Sequence, residues 1–179
     1  MISQKEPPAD ALAVILRRRS VRDYTGQTVE REKLETILRA GMSAPTAVNR
    51  QPWAYVAVTA RPVLDRLRDG LPHARMLGRA GTAIVVCAMP EEAFEQRIDL
   101  AVIDSSLASE NMLLAADALG LGAVWVAAYP YRERMEFIRS VLNIPENALP
   151  LNVISIGYPA GKDHPVDKFK PEKIHWESW

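Results

Sequence analysis

The sequence predicts an αβ sandwich, a small sheet with helices on both faces, and three observations carry that reading. Four short apolar runs have strand character: WAYVAVT from Trp53, TAIVVCAM from Thr82, AVWVAA from Ala123 and LNVISIG from Leu151. They are rich in β-branched and aromatic residues. Segments with apolar residues at helical spacing alternate with them. Two of the runs, Thr82 to Met89 and Ala123 to Ala128, are continuously apolar, as in strands covered on both sides, so helical layers belong above and below.

The elements follow in order. Pro7 and Pro8 mark residues 1–9 as a loose arm. Asp10 can cap a short helix through Arg18, with Leu12, Ile15 and Leu16 at helical spacing. Thr28 can cap a second helix, with Leu34, Ile37 and Leu38 on its apolar face and Gly41 as its stop. After the first strand, Thr59 can cap a third helix through Arg68, stopped by Gly70. Ile98 to Leu119 is the longest helical segment. Small and large apolar residues lie all round it, so it should be buried on most faces, and in so short a chain a second subunit would have to cover it. Gly120-Leu121-Gly122 breaks it. Arg132 to Leu142 is the last helix. From Tyr158, residues 158–179 read as an extended tail with Pro159, Pro165 and Pro171, a possible fifth strand and an apolar end, Ile174 to Trp179.

Composition narrows the function. The 179 residues fit one domain, 48% are hydrophobic, and 22 Lys plus Arg balance 22 Asp plus Glu. A protein built to hold nucleic acid or an anionic membrane should be basic, so neither is expected as a partner. No stretch is apolar enough to span a membrane and no secretory signal opens the chain, so a cytoplasmic address is expected. A single cysteine, Cys87, excludes an internal disulfide, and within an apolar strand it should be inert. No metal site is expected, since His73, His164 and His175 lack ligand spacing. No nucleophile elbow or phosphate-loop motif occurs. An enzyme made from these residues would borrow its reactivity from a cofactor.

Four places could carry chemistry. Arg17-Arg18-Arg19-Ser20-Val21-Arg22 could grip a phosphate, although the same cations would also complement a helix C-terminus and face water. Ala44 to Trp53 is stiffened by Pro45 and Pro52 and offers Thr46, Asn49 and Gln51 to a flat heteroaromatic ring. A self-bonded structural turn is the other reading of that loop. Gly120 to Pro130 ends a strand where ligands of α/β folds gather, yet Gly-Leu-Gly also reads as a plain helix stop. Lys162 to Lys170 reads as a solvated tail.

Taken in order, these segments resemble the FMN-dependent nitroreductase family, in its compact branch. The pattern is R-R-S-x-R at Arg18 to Arg22, then A-P-T-x-x-N-x-Q-P-W at Ala44 to Trp53. Next come A-L-G-L-G-A-V-W at Ala118, L-N-V-I-x-I-G-Y-P at Leu151 and K-F-x-x-x-K-I-H-W at Lys168. The resemblance covers Leu12 to Trp179. It implies an α+β fold with a mostly antiparallel sheet of four strands plus a tail strand, and a homodimer with noncovalent FMN at the interface. Arg18, Arg19, Ser20 and Arg22 match the residues that hold the FMN phosphate and ribityl chain. Pro45, Thr46, Ala47 and Asn49 match the loop that reaches the flavin from the partner subunit. Ala127 and Ala128 match the strand end whose backbone amide points at the flavin N5. Lys168 resembles a phosphate ligand in the tail, and Arg75 a basic residue at the pyrimidine edge. Some relatives carry Glu-Gly in place of Ala127-Ala128, Thr in place of Val126 and Arg in place of Lys168.

The implied activity is hydride transfer from NAD(P)H through FMN to a nitroaromatic, quinone or similar acceptor, in ping-pong fashion, with the flavin rather than a catalytic side chain supplying the reactivity. A flavin-dependent dehalogenase-type enzyme, and a flavin-binding sensor or storage protein without turnover, are the alternatives.

Overall fold

In the computed structural model, residues 10–161 and 164–179 are described. The expected arm over 1–9 and the tail residues Lys162 and Asp163 lie outside them. Four strands, β1 (Trp53–Val58), β2 (Thr82–Ala88), β3 (Gly122–Ala127) and β4 (Leu149–Gly157), form one sheet in the order β1-β2-β4-β3. Every pairing is antiparallel. The two central strands are the most buried: all of β2 is buried, and so is β4 beyond Leu149. β1 and β3 are the edges.

Five helices cover the sheet: α1 (Ala11–Arg17), α2 (Arg31–Met42), α3 (Arg61–Gly70), α4 (Ile98–Ala118) and α5 (Arg132–Leu142). Strand residues alternate between two cores. Ile84, Val86, Ile154 and Ile156 meet Leu34 and Ile37 of α2 and Met112 and Leu113 of α4. Val85, Val124, Val126 and Val153 meet Leu64 and Leu67 of α3 and Ile138 and Val141 of α5.

Several expected helix ends change. Asp10 does cap α1, accepting the Leu12 N–H at 3.0 Å. Thr28 does not cap α2: Glu30 holds that position without a side-chain bond, as Ala60 rather than Thr59 does for α3. Gly41 lies inside α2 rather than ending it, because a Cβ there would collide with Met112 of α4. Gly120 is the expected stop of α4. At φ +74° it allows the Leu121 N–H to reach back to the Ala116 carbonyl at 2.8 Å.

α4 buries one side completely through Ala101, Asp104, Ser105, Ala108, Ser109, Met112, Leu113 and Ala116. It is not surrounded within one chain, however. Ile103 and Leu107 remain 53% and 43% exposed, and Leu12, Ile15 and Leu16 of α1 are exposed as well.

The tail leaves from a fixed point. The Thr25 N–H donates to the Tyr158 carbonyl, and the Ala160 N–H to that of Asp23. Tyr158 Oη accepts from Lys33 Nζ at 2.8 Å and donates to Glu30 at 2.6 Å. The expected fifth strand is absent from the described tail, which holds one turn at Pro171–Lys173. Residues 164–179 all lie exposed, Phe169, Trp176 and Trp179 among them. A strand needs a ladder partner, and beyond the single bridge of Pro159 to Tyr24 the described tail residues have none within their own chain.

Candidate active site

The arginine segment runs from the end of α1 along the outer edge of β3. Ser20 pairs with Ala123 in a parallel bridge, and the Val21 N–H donates to the Ala123 carbonyl at 3.0 Å. Gly122 permits this closeness, since a Cβ there would lie 2.6 Å from Val21. Tyr24 locks the far end, its hydroxyl donating to the Val21 carbonyl at 2.7 Å and accepting from Ser155 Oγ at 3.1 Å. Burial pushes the Tyr24 hydroxyl well above its ordinary pKa, which keeps it a donor.

The arginines divide. Arg17 pairs with Asp117 at 2.7 Å, with Arg19 at 3.9 Å from the same carboxylate, and Arg18 pairs with Glu110 at 3.1 Å. Arg18 and Arg19 are thus tied to carboxylates of α4. Arg22 points elsewhere. It lines a cleft with His73, Met76, Trp125, Ala127 and Arg134, and it lines the adjoining hollow with His73 and Arg75. No acidic residue lines either hollow, and among the described residues none of Arg22, Arg75 and Arg134 forms an ion pair. The result is a cationic recess at the β3 edge.

Its floor carries a free backbone donor. The Ala128 and Tyr129 N–H groups both donate to the Leu151 carbonyl at 3.0 Å, so the Ala128 amide is spent within the chain. Ladder groups alternate in direction along an antiparallel pair. Since Ala128 bonds toward β4, Ala127 faces outward, as Ala123 does two positions of that alternation earlier. Its carbonyl accepts from Arg134 Nη1 at 3.0 Å, and its N–H faces the open edge. Arg134 is held in turn over the Tyr131 ring, 3.8 Å from the centroid.

The second expected region lies elsewhere. Pro45, Thr46, Ala47 and Asn49 precede β1, at the opposite edge of the sheet. Three strand spacings, about 14 Å, separate the two edges. This loop bonds to itself. Thr46 Oγ1 accepts the Gln51 N–H at 3.1 Å, and Asn49 Oδ1 accepts Gln51 Nε2 at 3.0 Å. Lys168 stands in the exposed tail. One chain therefore brings together Arg22, Arg75 and Ala127, and leaves the Pro45–Asn49 loop and Lys168 apart from them.

Sequence reasoning missed His73, Arg134 and Tyr131. The one available signal was Tyr131 and Arg134 at helical spacing just past a strand end. Cys87 matches its reading. It is buried, and burial pushes its thiol up to about 11 against the pull of Arg139.

The model of the nitroreductase family matches residues 15–75 and 67–158. The chain belongs to the nitroreductase family. A relative from Archaeoglobus fulgidus, provisionally named an NADH dehydrogenase/NAD(P)H nitroreductase, is 43% identical over 173 residues, 95% of this chain and 99% of that one. The crystal structure of a protein with the same provisional name from Bacteroides thetaiotaomicron VPI-5482 is 47% identical. It superposes with a TM-score of 0.89, over 94% of this chain and 98% of that one. An FMN-dependent nitroreductase from Clostridium difficile R20291 is 27% identical, with a TM-score of 0.86 over 94% and 99% of the chains. Among the described residues of this nitroreductase-family chain, no helix is long and apolar enough to cross a membrane.

Proposed function

We propose that this protein is a homodimeric FMN-dependent oxidoreductase that takes hydride from NAD(P)H and passes it to a nitroaromatic, quinone or similar acceptor. The observation that carries this reading is the cationic recess: Arg22, Arg75 and Arg134 around the outward N–H of Ala127, with no carboxylate among the lining residues. Such a recess fits a flat ring that becomes anionic on reduction, with a donor at one ring nitrogen and positive charge about it. FMN, when bound, supplies the hydride-accepting ring. Arg22, with Ser20 of the same segment and with Arg18 exchanging Glu110 for the phosphate, would hold the phosphate and ribityl chain, and Arg75 the pyrimidine edge. Ala127, rather than Ala128, would donate to N5. Arg19, committed with Arg17 to Asp117, would position this segment.

The dimer is part of the proposal. The exposed apolar residues of α1 and α4, the aromatic tail and the open edge of β1 all support it. The Pro45–Asn49 loop and Lys168 would enter the recess from the partner subunit, and the partner's tail would lie along β1 as the fifth strand. Residues 1–179 would then act as one FMN-binding domain per subunit.

The test is the visible spectrum of protein loaded with FMN. NAD(P)H should bleach it without oxygen and an added quinone should restore it. Arg22→Ala should weaken FMN binding about 10- to 100-fold, the loss of one charge-assisted bond of ~1.5–3 kcal/mol. A protein that takes up no FMN overturns the proposal. FMN that is held but never bleached points to the sensor or storage reading.

A further inference from the structure

One buried ionisable group has no part in the functions above. Asp104, in the middle of α4, is 3% exposed. Among the described residues no cation pairs with it. Among the described residues its one hydrogen-bond donor is the Ala47 N–H, 3.3 Å from each carboxylate oxygen. A carboxylate withdrawn from water without a counter-charge is a cost to the fold. Desolvation accordingly raises the Asp104 pKa, opposed only by that backbone bond.

The loop above it is also costly. Val48, Asn49 and Gln51 have φ of 44°, 57° and 55°, left-handed values that a β-branched valine in particular resists. Such backbone persists only where its surroundings over-determine it. α4 supplies that determination at both ends of the loop. Asp104 takes the Ala47 N–H, and Ser105 Oγ donates to the Pro52 carbonyl at 3.3 Å. Asn111 Nδ2, two turns on, holds the Ala40 carbonyl at the end of α2 at 3.1 Å.

We infer that Asp104 is a positioning residue: by holding the Ala47 N–H it keeps the 45–51 loop in the left-handed form that presents Asn49 to FMN bound against the partner subunit. The inference rests on the FMN-site reading above. A carboxylate serves better than a packed apolar side chain because the loop needs an acceptor at this point, and the fold carries the expense.

That expense gives the test. Asp104→Asn keeps an acceptor oxygen and removes the charge. Asp104→Leu keeps the branch at Cγ, with added bulk, and removes the acceptor. Both should melt, without flavin, at or above the wild-type temperature, because each relieves a buried charge. FMN affinity should stay within about threefold of wild type in Asp104→Asn and fall roughly tenfold in Asp104→Leu, the scale of one hydrogen bond. Amide exchange at Ala47 and Asn49 should accelerate in the leucine variant alone.

Stability and affinity moving in opposite directions is the signature of positioning. If Asp104→Leu lowers melting temperature and affinity together, Asp104 is a structural residue and the inference fails. It fails too if Asp104→Leu binds FMN as wild type does with unchanged exchange. Should wild-type protein bind no FMN while Asp104→Leu still loosens Ala47, the flavin reading falls and the loop anchor stands.

Discussion

Replacing Ile103 and Leu107 with alanine should weaken the proposed dimer while leaving the chain folded. The two lie one turn apart on the outer side of α4, 53% and 43% exposed. Together they leave about one whole apolar side chain in water, whose full burial would contribute ~1.5–3 kcal/mol. Alanine keeps the first side-chain carbon, so about two thirds of that is lost, ~1–2 kcal/mol per copy. Two-fold symmetry counts each lesion twice, giving ~2–4 kcal/mol and a dimer Kd raised roughly 30- to 1,000-fold. The isolated chain should lose a further ~1–2 kcal/mol, from the inward half of these side chains, partly offset by alanine's helix propensity, so it stays folded while the dimer weakens. Sedimentation equilibrium from nanomolar to micromolar concentration, run beside thermal melts, measures both quantities. A double variant whose dimer Kd stays within threefold of wild type refutes the assignment of this face, and a wild-type protein that is monomeric throughout refutes the dimer.

Two further outcomes follow from the packing. Gly122→Ala should destabilise the apoprotein by ~1–3 kcal/mol, because its new Cβ would lie 2.6 Å from Val21; an unchanged melting temperature would mean that the arginine segment does not sit against β3 as described. Cys87 should cost stability in alkali. Its native pKa of about 11 stands above the ordinary 9, so between pH 9 and 11 the unfolded chain sheds this proton first, and stability falls as pH rises by up to ~2–3 kcal/mol. The buried Tyr24 and half-buried Tyr55, also raised by desolvation, add to that fall from about pH 10, so the quantity to compare is the slope between pH 9 and 11 in wild type and in Cys87→Ala, which should be shallower in the variant.

The strands were legible from their β-branched and aromatic content, but composition did not tell the centre of the sheet from its edge. TAIVVCAM became a central strand, whereas the wholly apolar AVWVAA supplies most of the edge strand β3 and LNVISIG, with Asn152 and Ser155, lies at the centre. Gly120 was legible because its left-handed turn answers to a single cause. Gly41 was not. A glycine at the end of a helical pattern looks like a stop, whereas this one makes room for Met112, a residue 71 positions away that no local pattern reveals. Thr28 and Thr59 failed for a similar reason: capping residues can only be chosen once the path into the helix is known. The arginine motif named the right segment without showing how it divides, because Glu110 and Asp117 read as ordinary solvent-facing acids of α4. Asp104 looked the same in sequence, and only its burial under the 45–51 loop sets it apart.

The distance between the two halves of the site bears on how it can be completed. Ala127 ends one edge strand and the Pro45–Asn49 loop leads into the other, with β2 and β4 between them. Those are the most deeply buried strands in the chain, bonded on both sides. To bring Asn49 to the recess of its own chain the loop would have to leave its anchors and cross about three strand spacings. The loop itself is pinned from beneath at Ala47 and Pro52 and bonded within at Gln51, so it is not built to swing. A rigid loop that cannot reach its own chain's recess can still be delivered to another's by rigid-body docking. In the proposed dimer the exposed Ile103 and Leu107, on the same helix that pins the loop, would provide a surface for that docking. On this reasoning assembly, rather than closure of a lid, creates the complete site, and flavin affinity should follow the dimer's concentration dependence.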